Sequence, residues 1–217
     1  MLKIFFLVSL LMSSAFAQRI ELETRVLAPS EIISLIGPFP KNGSVDEAQD
    51  FKVLMYFQKN RTAADCALAK RDESLTVETM FGGDVGILND DETARMTAFL
   101  IKAYAGAGIN AYIAKSTFKR PRPYESNPAI KPCIDLESSY AYPSGHSLTV
   151  RLFARIISKI YPERAEKLLK RAHEYALNRV IGGVHHPSDV KAAFIMADHL
   201  AEEMIEREDF LKALDTL

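Results

Sequence analysis

The 217-residue chain has only two cysteines, ten glycines and ten prolines, and its 27 Lys and Arg nearly cancel 28 Asp and Glu. Each scarcity excludes something. Two cysteines rule out a disulfide-dense scaffold, and the modest glycine and proline content rules out collagen-like and low-complexity chains. A net charge of −1 offers no general attraction to a nucleic acid polymer, so any cationic site must be local. Beyond residue 17 no apolar run is long enough to cross a bilayer: Ala192 to Ala197 is interrupted at Asp198. Repeats, linkers and alternating strand patterns are missing too. What is there, 48% hydrophobic and 25% charged residues, suits a globular domain.

The N-terminus reads differently. Met1-Leu2-Lys3 leads into an apolar run from Ile4 to Met12, then Ser13-Ser14-Ala15-Phe16-Ala17. A positive start, a short apolar stretch and a small-x-small ending describe a secretory signal peptide cleaved after Ala17. No Cys follows that point to take a lipid anchor. The expectation is a signal peptide over 1–17 and one exported domain over 18–217, periplasmic or secreted, without a membrane anchor. Cys66 and Cys133 would then meet an oxidising compartment. Sequence alone leaves open whether they lie close enough to bond.

Punctuation along the mature chain is helical. Pro29, Pro38, Pro40 and Gly43 suit an irregular arm with one short helix near Ser30–Ile36. Ser44 and Glu47 form a capping box, opening a helix expected to run to about Lys70. Gly82, Gly83 and Gly86 mark a loop over 72–90 with room for one short turn of helix, and a long helix follows from Asn89 or Asp90 towards Lys115. Pro121, Pro123, Pro128 and Pro132 argue against regular helix across 120–143. Apolar spacing resumes after Gly145 and stops at Pro162. Glu163 to Val180 reads as a further amphipathic helix, and Gly182-Gly183 breaks it. Pro187 sits well in the first turn of the next helix, and a short helix ends the chain. The expected architecture is one all-α domain.

Three clusters carry chemistry. They are Lys115 with Arg122-Pro123, then Pro143-Ser144-Gly145-His146 at a helix start, then Arg179, His185 and Asp189. Singly, each has a bland explanation: surface charge, a common loop-to-helix start, a structural histidine, an acid favoured by a helix dipole. Together they supply what a tetrahedral oxyanion needs. A helix N-terminus offers backbone donors, Arg a fork matched to phosphate oxygens, and Lys a point charge. An Asp beside a His fixes its tautomer and leaves the other ring nitrogen free to attack.

Lys115-x6-Arg122-Pro123, Pro143-Ser144-Gly145-His146 and Arg179-x5-His185-x3-Asp189 resemble the signature of the type 2 phosphatidic acid phosphatase superfamily. Within it the chain is similar to secreted bacterial class A non-specific acid phosphatases over nearly the whole mature length. The resemblance implies a compact helical domain of the acid phosphatase and vanadium haloperoxidase type. It also implies cofactor-free, metal-free hydrolysis of small phosphate monoesters such as nucleotides or sugar phosphates, with phosphotransfer a companion activity, in a homodimer. His185 would be the nucleophile and Asp189 its orienting partner. Lys115, Arg122, Arg179, Ser144 and the Gly145 amide would hold the phosphoryl oxygens. His146 would protonate the leaving group and then activate water. A protonated His146 beside a neutral His185 implies a mildly acidic optimum.

Two positions depart from the family pattern, Asn178 where Ser is usual and His186 where an aromatic residue is common. They put specificity in question more than catalysis. His173 and His199 read as structural or surface residues. The alternatives are a vanadium-dependent haloperoxidase, for which the chain is short, and a non-catalytic exported phosphate-binding protein, which would not need a His–Asp pair and a second His.

Overall fold

A computed structural model describes residues 24–214. The expected signal peptide, 1–17, lies outside the described residues. Ten α-helices follow in order: α1 (Pro29–Ile36), α2 (Val45–Asn60), α3 (Ala63–Arg71), α4 (Val77–Phe81), α5 (Asp90–Phe118), α6 (Pro123–Ser126), α7 (Gly145–Ile160), α8 (Ala165–Ile181), α9 (Pro187–Ile205) and α10 (Glu208–Leu214). Short 3-10 turns at Gly83–Val85 and Pro162–Arg164 join neighbours. Among the described residues there is no strand, and no helix is long and apolar enough to cross a membrane.

Helix α7 is the axis. Leu148, Val150, Leu152, Phe153, Ala154, Ile156 and Ile157 are all buried, so apolar contacts surround most of its circumference, as expected for a central helix. It packs chiefly on α8 and α9, then on α5. Each large apolar side chain buried there contributes about 1.5–3 kcal/mol. On its outer edge Arg151 forks onto Asp198 at 2.7 and 3.0 Å. The helix starts where it does because Ser144 caps it, its Oγ accepting from Ser147 N.

Two expectations about helix extent need correction. The helix expected from Ser44 to about Lys70 is two helices. Arg61 leaves α2 in extended conformation, and Thr62 with Asp65 builds a new capping box for α3. The reason lies far away in sequence: the Arg61 guanidinium donates to Ile181 O at 2.6 Å and also to Lys131 O, which requires the chain to turn there. The proline-rich stretch also holds one helical turn, α6, because Pro123 occupies the first helical position, where no N–H is needed.

The rest of the 119–144 segment is irregular and lies over the ends of α8 and α9. It begins at Lys119, whose left-handed φ of 53° ends α5. Cys133 is bonded to Cys66 of α3, and its N–H donates to Gly182 O at 3.0 Å. A Cβ on Gly182 would sit 2.4 Å from Ile134 Cδ1, so only glycine lets the segment approach so closely. This contact fixes the segment just ahead of His185.

Candidate active site

The deepest part of the site is the first turn of α9. Asp189, fully buried, accepts from His186 N at 2.8 Å and lies 3.2 Å from His185 Nδ1. Arg120 Nη1 donates to its other oxygen at 2.6 Å. Burial opposes ionisation of Asp189, but the histidine contacts and the Arg120 cation hold its carboxyl well below the usual range. Arg120 is itself buried, with Asp50 on its second nitrogen at 2.9 Å, and Asp50 also accepts from Ser188 N at 3.0 Å. These partners fix the His185 ring.

His185 is 1% exposed. Burial and the neighbouring Arg122 cation hold its pKa well below the ordinary value, so the ring is neutral. With Nδ1–H turned to Asp189, Nε2 is unprotonated and accepts from Arg122 Nη1 at 2.9 Å. Arg122 is anchored by Ser139 O at 2.7 Å and Val184 O at 2.9 Å. Lys115 rises from the last turns of α5, its ammonium donating to Tyr140 O. Burial and the nearby Arg122 push Lys115 down to about 7.

Arg179 is equally buried, and one of its nitrogens donates to Glu137 Oε1 at 2.7 Å. Its Nε and Nη1 have no partner among the described residues. Buried donors are nearly always satisfied, so this guanidinium edge is suited to an acceptor that enters the site. Glu137 Oε2 also takes Arg122 Nη2 at 3.1 Å, so both arginines converge on one carboxylate. Although burial opposes its ionisation, the surrounding cations, Arg122 foremost, hold Glu137 at about 2.

The N-terminus of α7 closes the site. Ser144 N donates to Asp189 O at 3.1 Å, joining the second cluster to the third. Ser144 Oγ is a helix cap here, accepting from Ser147 Oγ at 2.9 Å, with its own proton still available. The Gly145 amide, at the first helical position, has no intrahelical acceptor. His146 Nε2 lies 3.1 Å from Glu73 O; a carbonyl only accepts, so Nε2 carries the proton and Nδ1 is the free atom. That Nδ1 is 3.7 Å from Glu137 Oε1. Burial and the Arg179 cation push His146 down to about 4, so it is neutral at mildly acidic pH while the site holds no phosphate. The protonated start inferred from sequence needs a further negative charge beside the ring.

Lys115, Glu137, Gly145, His146 and His185 line one pocket of about 100 Å³, walled on its apolar side by Leu75, Tyr104 and Ala111. Of the two family departures, Asn178 points elsewhere, donating to Asp72 at 2.8 Å beneath a buried Asp72–Arg171 pair. His186 packs edge-on against Phe51 and brings its Nδ1 to 3.3 Å from Asp189 Oδ2. His173 meets Phe194 edge-on, and His199 sits 3.4 Å from Glu203. Sequence reasoning missed Arg120, Asp50 and Glu137. Arg120 stands two residues from Arg122, which was a usable hint; Asp50 and Glu137 had no motif to mark them.

A profile of the PAP2 superfamily matches residues 97–202. The chain is 37% identical over 166 residues to a non-specific acid phosphatase of Salmonella typhimurium, covering 70% of this chain and 66% of that one. It is 28% identical over 193 residues to the non-specific acid phosphatase of Providencia stuartii, covering 84% and 77%. An acid phosphatase of Zymomonas mobilis is 26% identical over 206 residues, 88% and 78% of the two chains. Among solved structures, a transmembrane PAP2 type phosphatidylglycerolphosphate phosphatase from Bacillus subtilis superposes with a TM-score of 0.55 at 16% identity. The match covers 87% of this chain and 96% of that one, a likeness of fold.

Proposed function

The chain belongs to the PAP2 superfamily as an acid phosphatase, and on that premise we propose that it hydrolyses phosphate monoesters through a phosphohistidine, without a metal. The observation that carries this reading is the convergence of two buried arginines on one anion position beside the unprotonated Nε2 of a neutral His185.

His185 Nε2 attacks phosphorus, forming the P–N bond as the ester P–O bond breaks. Arg122, Arg179, Lys115 and the Gly145 amide take up the charge on the phosphoryl oxygens, the main requirement of phosphoryl transfer. Ser144 adds its hydroxyl. Asp189 stabilises the charge that develops on His185, and Arg120 keeps Asp189 ionised. His146 Nδ1, protonated under the influence of the bound dianion, gives its proton to the leaving oxygen. In the second half it takes a proton from water as water breaks the P–N bond and releases phosphate. A small alcohol in place of water would give phosphotransfer.

Export behind residues 1–17 to a periplasmic or extracellular space is part of the reading, and the Cys66–Cys133 disulfide supports it, since such bonds persist in oxidising compartments. The test is hydrolysis of p-nitrophenyl phosphate near pH 5–6 with a chelator present, comparing the protein with His185→Ala. The expected result is chelator-resistant turnover, an acid-labile phosphoenzyme, and loss of both in the variant. Full turnover by His185→Ala would overturn the mechanism.

A further inference from the structure

Glu137 has no place in that reaction, yet it stands where the reaction needs an anion. Its carboxylate bridges Arg122 and Arg179 and faces His146 Nδ1, so every ionic partner it has belongs to the phosphate cradle. A phosphate dianion beside it would meet an ionised carboxylate at close range, which is strongly unfavourable in a buried site. We infer, on the phosphatase reading above, that Glu137 is a resident competitor for the phosphoryl position: substrate must displace it, and it returns as phosphate leaves.

Three features make the exchange workable. The Glu137 backbone is held from both sides by the Tyr124 hydroxyl, which donates to Glu137 O at 2.9 Å and accepts from Glu137 N at 3.2 Å. Displacement therefore needs only the side chain to turn, with the main chain staying put. That side chain is 26% exposed, whereas both arginines are 1% exposed, so it has a route to water that its partners lack. The cradle also gains by the exchange. Arg122 keeps Ser139 O and Val184 O, and Arg179 Nε and Nη1, unreached by Glu137, would find acceptors on a tetrahedral oxyanion.

A carboxylate in this position limits how tightly the enzyme holds its product. Removing its charge should therefore create affinity, an outcome that the loss of a merely structural contact does not produce. The experiment is calorimetric titration of inorganic phosphate into the full protein, Glu137→Gln and Glu137→Ala, with phosphate inhibition constants and KM measured alongside. At least tenfold tighter phosphate binding in one or both variants, with KM falling in parallel, is the expected result. Alanine covers the case in which the glutamine amide oxygen still bridges the arginines. Unchanged or weaker binding in both variants overturns the inference. His185-dependent turnover by the unaltered protein decides the phosphatase reading separately: with that turnover intact and no gain in either variant, only the competitor role falls. If none of the three proteins binds or turns over phosphate compounds, both fall.

Discussion

Behind His185, Asp189 collects contacts from Arg120, His185 and His186, and Arg120 is shared with Asp50, all in the buried interior. In front of it, Lys115 and Arg122 lean on main-chain oxygens of residues 139 and 140, His146 on Glu73 O, and Arg179, among the described residues, on the Glu137 side chain alone. The back holds charges of both signs in near balance. The front holds cations with one movable carboxylate and two Arg179 nitrogens that have no partner among the described residues. The lesson is that preorganisation and occupancy are separate tasks: the proposed nucleophile is fixed by permanent partners, while the ligand position is kept by partners that can be exchanged.

That contrast can be broken most severely from behind. Asp189→Asn keeps the shape but loses the charge that fixes His185 as an Nδ1–H tautomer. A drop in kcat of about 10³- to 10⁴-fold is expected, by analogy with an Asp that orients a catalytic His. Steady-state assay on folded protein checks it, and a loss under tenfold would mean that the carboxylate is dispensable. Arg120→Gln comes next. It leaves two buried carboxylates without their cation, which should destabilise the fold by about 3–5 kcal/mol and lower kcat with little change in KM. Urea unfolding and kinetics on the same preparation separate the two effects.

The front should respond to its ligand and to pH. Lys115 loses its charge near 7, so phosphate affinity should weaken as pH rises through that value, and titrations at pH 6 and 8.5 would show it. The smallest effect concerns His146. Its folded pKa of about 4 lies below the ordinary 6.5, so the unfolded chain binds more protons between those values. Stability supplied by this group is present above pH 6.5 and is lost as pH falls towards 4. Bound phosphate, by favouring the protonated ring, should offset the loss, so added phosphate should raise the melting temperature more at pH 5 than at pH 8. An equal rise at both would argue that neither His146 nor Lys115 changes charge on binding.

Much of this contrast tracks how far apart the interacting residues lie in the chain. The starts of α5, α7 and α9 were legible because Asn89, Ser144 and Pro187 act on their own first turns. The three clusters were legible because their spacings are local to one helix start or one turn. The break between α2 and α3 was not, since it serves carbonyls of Ile181 and Lys131, 120 and 70 residues away. Glu137 was hidden for a related reason. Its role depends on the path of an irregular segment pinned by Cys133 and Gly182, and no periodicity describes that path.

Asp50 accepts from Ser188 across 138 positions of the chain, and Ser144 N reaches Asp189 O. During synthesis the residues of this site are therefore made early and late, with nothing to assemble until nearly the whole chain has emerged. A ribosome stalled before α9 would release a fragment with the cations, His146 and His185 but without Asp189, which orients the His185 ring, and without the helix that packs on α7. Truncated chains should thus be inert towards phosphate esters, never weakly active, and the cell gains hydrolysis only with the finished protein.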